Sequence, residues 1–109
     1  MCAYYVYILT NTAGVIYIGM TNDLPLRLWQ HVHDRGPGFS SRYNLDRLVF
    51  YEVFPTPQEA IAREKQLKGW RREKKKSLIH SLNPAWRDLS GRFPYQLSVD
   101  VSDPSTSSG

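Results

Sequence analysis

Glu64 stands where the helical spacing of Ala60, Ile61 and Leu67 asks for an apolar residue, because the offsets set it one turn from each on the same side. A carboxylate at a half-buried helical position has to be paired or metal-bound, since desolvating it alone costs several kcal/mol. An ion pair with a nearby arginine and a metal ligand both meet that requirement. Arg27 and His31 stand at i and i+4, so one helix would bring them together along an edge. An arginine fork suits a phosphate, and a histidine one turn away can share a proton or a hydrogen bond; an exposed, unrelated pair is the plainer alternative. Tyr7 and Tyr17 add two phenols, which can pack on a strand or handle a proton.

The elements that must position these groups follow from local pattern. Tyr4 to Thr10 is rich in tyrosine, valine and isoleucine and stops at Asn11-Thr12-Ala13-Gly14, so it reads as a strand followed by a turn; Val15 to Met20 resumes as a second. The short connection predicts an antiparallel hairpin. A register in which paired numbers sum to 24 sets Tyr7 opposite Tyr17, both on the side of Gly19. Asn22 or Asp23 caps a helix with Pro25 in its first turn and Leu24, Leu28 and Val32 as its buried stripe, leaving Arg27 and His31 outside it. That helix runs to about His33, itself expected on the surface, and Gly36-Pro37-Gly38 breaks the chain after it. Arg47 to Phe54 reads as a third strand, with Leu48 and Phe50 alternating with Val49, Tyr51 and Val53. Thr56-Pro57-Gln58-Glu59 follows the capping-box pattern and Gly69 offers a stop, defining a second helix. A third, from about Arg71 to Ser81, buries Leu78, Ile79 and Leu82 and ends at Asn83-Pro84. The order β-β-α-β-α-α predicts a small α/β fold, a three-stranded antiparallel sheet flanked by helices.

With 109 residues, the chain has material for one domain, expected over residues 1–90, with a Ser/Asp-rich tail over 91–109 that has little to offset the entropy of ordering. The single cysteine, Cys2, excludes an internal disulfide and a cysteine-built zinc site. No apolar run approaches the roughly 20 residues of a membrane span, so a cytoplasmic protein is the expectation. No heptad pattern asks for a dimer, which makes a monomer the default. The net charge of +4 is concentrated: eight of the fourteen basic residues lie between Arg63 and Lys76, leaving the remainder slightly acidic. Such a stretch is a solvated helix face or a phosphate-binding one. Trp70 beside it could stack on an unpaired base or fill the core between helices.

Taken in order, Tyr5-Val6-Tyr7, Tyr17-Ile18-Gly19, Arg27 with His31, and Glu64 resemble the GIY-YIG nuclease superfamily over roughly Tyr4 to Trp86. The likeness is to its small single-domain bacterial members, which end near an Asn-Pro-x-Trp segment like Asn83 to Trp86. Tyr5 replaces the first tripeptide's glycine but leaves the phenol of Tyr7 in place, and Met20 stands where some members carry a lysine. The resemblance implies a metal-dependent endonuclease that hydrolyses DNA phosphodiesters, with structure-selective repair or recombination as the finer expectation. A nucleic-acid-binding module that turns over slowly or not at all is the alternative. In this scheme Glu64 holds Mg²⁺ or Mn²⁺ and Tyr17 or Tyr7 relays the proton of the attacking water. Arg27 meets the charge of the transition state, and His31 orients the nucleophile or the tyrosine. Gly19 lets the phosphate approach the sheet, and Arg71, Arg72, Lys74, Lys75 and Lys76 follow the nucleic-acid backbone.

Overall fold

In the computed structural model the described residues are 3–33 and 45–94. Cys2, the Gly36-Pro37-Gly38 segment and the stretch from Ser98 to Gly109 lie outside them. Strand β1 (Tyr4–Thr10) and β2 (Ile16–Thr21) form the expected hairpin. Its turn is organised by one side chain: Asn11 Oδ1 accepts from the amides of Ala13 and Val15, both at 3.0 Å. Gly14 closes the turn at φ 84°, a left-handed conformation that a residue with a Cβ adopts only at a cost.

This turn corrects the expected register. Thr10 pairs with Ile16, so Tyr7 faces Gly19 and Leu9 faces Tyr17. The reach of Asn11 to Val15 requires the longer loop, which moves β2 by two residues. Because side chains alternate with a period of two, a shift of two keeps Tyr7, Tyr17 and Gly19 on the expected common face.

Strand β3 (Arg47–Phe54) pairs antiparallel with the other edge of β1, giving the order β2-β1-β3. Between Ile8 and Leu9 the pairing steps from Phe50 to Leu48, and Val49 is the extra residue of a bulge. Leu48 therefore joins Tyr7 and Leu9 on one face, while Val49 and Phe50 both join Val6 and Ile8 on the other. The simple alternation expected for this strand fails at that point.

Helices cover both faces. Helix α1 (Leu24–His33) starts at Asp23, whose Oδ1 accepts from Leu26 N at 3.2 Å, and it packs Leu24 and Leu28 on the Tyr7/Leu9 face. Val32, expected in this stripe, is exposed at 36%, and His31 is buried in its place. The reason is the helical period: steps of four drift by about 40° each, whereas i, i+4, i+7 keeps to one side. Helices α2 (Pro57–Lys68) and α3 (Arg72–Leu82) cover the other face with Ala60, Leu67 and Ile79. Half of the expected capping box forms, with Glu59 N donating to Thr56 Oγ1; Glu59 Oε2 accepts from the Thr56 hydroxyl, where the full box would have it accept from the Thr56 backbone N–H. Ile61 and Leu82, expected inside, are exposed at 39% and 66%. Each fully buried leucine contributes about 1.5–3 kcal/mol, so Leu24, Leu48 and Leu67 are principal fixings of the three layers.

Past α3, Phe93 packs edge-on against Tyr5 and Tyr51, after a short 3₁₀ turn at Ser90–Arg92. The packed unit thus reaches at least to Phe93.

Candidate active site

The inward stripes of α1 and α2 are built alike. Leu24, Leu28 and His31 on one, and Ala60, Glu64 and Leu67 on the other, repeat the i, i+4, i+7 spacing with one polar group each. The sheet lies between them and presents its two phenols.

Tyr7 is 2% exposed, and the position opposite it on β2 is Gly19. A Cβ on residue 19 would sit 2.6 Å from both Cζ and Oη of Tyr7 and 3.1 Å from Cε2 of Tyr17. The space left by Gly19 is therefore filled by the two tyrosines, which corrects the expectation that it is kept open for a phosphate. Tyr7 Oη lies 3.2 Å from His31 Nε2. The three rings form a triangle with centroid separations of 6.3 Å (Tyr7–Tyr17), 5.9 Å (Tyr7–His31) and 5.6 Å (Tyr17–His31).

Burial sets the charge state of this cluster. It pushes the Tyr7 phenol above its usual range; the neighbouring Tyr17 and Glu64 push the same way, while Arg27 opposes them. His31 is pushed down to about 4, by burial first and by the Arg27 charge second. At neutral pH the pair is thus a phenol and a neutral imidazole. His31 Nδ1 is buried and makes no hydrogen bond among the described residues.

Arg27, one turn before His31 on α1, is exposed, yet its charge reaches both Tyr7 and His31. Glu64 is half-buried, with 21% of its side chain exposed, and its charge also reaches Tyr7. All five residues singled out for chemistry therefore converge: Tyr7, Tyr17 and His31 in contact, with Arg27 and Glu64 within electrostatic reach. The partner of Glu64 is Lys68, at 3.1 Å between Nζ and Oε2. The sequence suggested an arginine there, but Arg63 is committed to Glu52 through two contacts at 2.7 and 3.2 Å. The i, i+4 spacing of Glu64 and Lys68 was the legible signal for this partner.

Among the described residues no three His, Cys, Asp or Glu side chains converge, so a metal needing a complete protein cage finds no ligand set. A hydrated Mg²⁺ or Mn²⁺, which commonly keeps several waters and one or two carboxylates, is compatible with Glu64 alone.

The basic stretch divides by task. Arg72 donates to the Gly14 carbonyl and so ties α3 to the hairpin turn. Lys74 lies over the Trp70 ring at 4.2 Å, and Arg63 at 5.4 Å. Trp70 is half-buried against the core, which favours the packing reading over base stacking. Arg71 is exposed at the start of α3. Lys75 and Lys68 line a hollow of about 250 Å³ along β2, with Ile16, Tyr17 and Ile18. Lys76 lines a different groove on α3. His33 is exposed and stacks on Trp29, away from this cluster, as expected.

Asn83 carried little weight in the sequence, yet it is 7% exposed and fully engaged. Its Nδ2 donates to the carbonyls of Val49 and Arg87, and its Oδ1 accepts from Arg87 N.

Residues 3–77 match the family model described as the GIY-YIG catalytic domain. The UPF0213 protein of Bacillus pumilus is 34% identical over 79 residues, covering 72% of this chain and 81% of its own length. The corresponding protein of Staphylococcus saprophyticus is 33% identical over 79 residues, 72% of this chain and 96% of its own. Among solved structures, the solution structure of the UPF0213 protein from Bacillus halodurans matches with a TM-score of 0.54 at 28% identity. It covers 85% of this chain and 99% of that one. No helix among the described residues is long and apolar enough to cross a membrane.

Proposed function

The chain belongs to the GIY-YIG family, a nuclease-type family, and from that premise we propose that it is a metal-dependent endonuclease hydrolysing DNA phosphodiesters. Selectivity for branched or interrupted structures, of the kind met in repair or recombination, is part of this reading. The observation that carries it is the convergence of Tyr7, Tyr17 and His31 with the opposite charges of Arg27 and Glu64.

Glu64 is the residue to hold the cation, Mg²⁺ or Mn²⁺, which when bound supplies charge to a phosphate oxygen and acidity to a water. The chain's own groups then divide the work. Tyr7 keeps its proton, because burial and negative neighbours oppose its ionisation. It is therefore the donor that supports charge on the Tyr17 oxygen. Tyr17, half-buried on the edge strand, relays the proton of the attacking water, taking it on its oxygen as its own O–H proton passes to solvent. His31, held neutral, fixes the orientation of Tyr7 through Nε2. Arg27, exposed at the rim, meets the charge that builds on the phosphoryl oxygens. Lys75 and Lys76 hold the backbone by counterion release.

The test is nicking of branched, single-stranded and duplex DNA with Mg²⁺ or Mn²⁺ by the full chain and by Glu64→Gln. Cleavage by the wild type and none by the variant is the expected outcome. DNA binding without cleavage under every condition would overturn the enzyme in favour of a binding module.

A further inference from the structure

The groove between α3 and the Asn83–Trp86 turn lies outside the Tyr7 cluster. It is a cavity of about 370 Å³ lined by Lys76, Ser77, His80, Ser81 and Trp86. We propose that it holds an unpaired nucleobase of the bound strand, stacked on Trp86, with the adjoining phosphate at Lys76; the proposal rests on nucleic acid being the substrate.

Trp86 is held there deliberately. It has φ 51°, a left-handed backbone that a bulky L-residue rarely adopts, and it is the one non-glycine residue with positive φ among those described. The turn is over-determined from both sides: Trp86 N donates to Asn83 O at 2.9 Å, while the buried Asn83 side chain grips Val49 and Arg87. Part of the ring packs against the core cluster, and the ring also walls the groove, so one aromatic surface is anchored and faces an open space. The rest of the lining suits a nucleotide. Lys76 and His80, and likewise Ser77 and Ser81, are i, i+4 pairs on one side of α3, supplying a cation, a ring and two hydroxyls.

The occupant follows from the charge and the aromatic wall of the groove. Lys76 lines this groove together with Trp86, while Lys75, about 100° around the helix, lines the separate hollow along β2. A strand lying along this side of α3 meets a cation and then an aromatic platform. That combination of a backbone-holding cation and a stacking surface is what sequence-tolerant single-strand binding uses. A blunt duplex keeps its bases stacked internally and has none to offer Trp86.

The experiment measures binding of labelled single-stranded, flapped and blunt duplex DNA by the full chain without divalent cation. Trp86→Leu is expected to weaken single-stranded and flapped binding by about tenfold while leaving the blunt duplex unchanged. Lys76→Ala is expected to weaken single strands and reduce the salt slope by about 0.7. Should Trp86→Leu fail to fold, the Trp29→Phe/Trp70→Phe protein keeps Trp86 as its one tryptophan, and single strands should quench its emission. Equal single-strand affinity of wild type and Trp86→Leu, or unquenched Trp86 emission at saturation, overturns the groove. If that result accompanies Glu64-dependent cleavage, the nuclease reading stands without it. If the wild type binds no form of DNA, both fall.

Discussion

Tyr7 and Gly19 face each other across β1 and β2, and the end of the Tyr7 side chain occupies the volume that any Cβ at residue 19 would need, 2.6 Å from Cζ and Oη. Tyr7 cannot yield freely, because it is 2% exposed, hydrogen-bonded to His31 and packed beside Tyr17. Gly19→Ala should therefore displace the phenol and cost about 1–3 kcal/mol, the range for overpacking a core. Differential scanning calorimetry should show a lowered Tm for Gly19→Ala. Trimming the obstacle in Gly19→Ala/Tyr7→Leu should recover part of it, a coupling of the sign that contacting residues show. Additive losses would mean that the two positions are independent.

The neutral imidazole of His31 makes stability depend on pH in a definite direction. Its pKa is about 4 in the folded chain against an ordinary 6.5, so between those values the unfolded chain binds a proton that the folded one does not. The stabilisation is complete above about pH 6.5 and declines as pH falls toward 4. Urea unfolding at pH 7 and pH 5 should give a lower midpoint at pH 5, and His31→Phe should narrow the gap. An unchanged gap would show that His31 titrates alike in both states.

Lys68 is a resident cation on the carboxylate proposed to hold the metal, 3.1 Å from Glu64 Oε2. A divalent ion must share or displace it. In calorimetric titration with Mn²⁺, Glu64→Gln should abolish binding while circular dichroism stays native. Lys68→Met should tighten binding several-fold, since an i, i+4 pair contributes only about 0.3–0.5 kcal/mol to a helix and the Lys68 end of this one is exposed. Mn²⁺ affinity unaffected by both changes would place the cation elsewhere.

The sequence carried the elements and the chemical residues further than it carried their partners. Glu64 stood out because a charge interrupts an apolar stripe, and that contrast is local. The burial of His31 did not, because Val32 completed an apolar stripe spaced by four, and only the true helical period puts His31 inside. The partner of Tyr7 depended on the length of the Asn11–Val15 loop, which is set by side-chain hydrogen bonds rather than by strand propensity. The bulge at Val49 leaves no mark on an unbroken run of apolar residues. Asn83 acts on Val49, 34 positions away, and no local pattern announces such a contact.

Arg27 separates an enzyme from a binding module. It is exposed, and its charge acts on both Tyr7 and His31. If its guanidinium meets charge that develops only in the transition state, Arg27→Ala should lower the single-turnover cleavage rate by about 10²- to 10³-fold, as loss of one preorganised donor does. DNA affinity should barely change. Arg27→Lys is the sharper probe, because the charge remains but the planar fork that holds two oxygens is lost. A slow Arg27→Lys protein with wild-type affinity supports the catalytic role. Weakened binding with an intact rate at saturation would make Arg27 a backbone clamp, reducing the salt slope by about one phosphate contact.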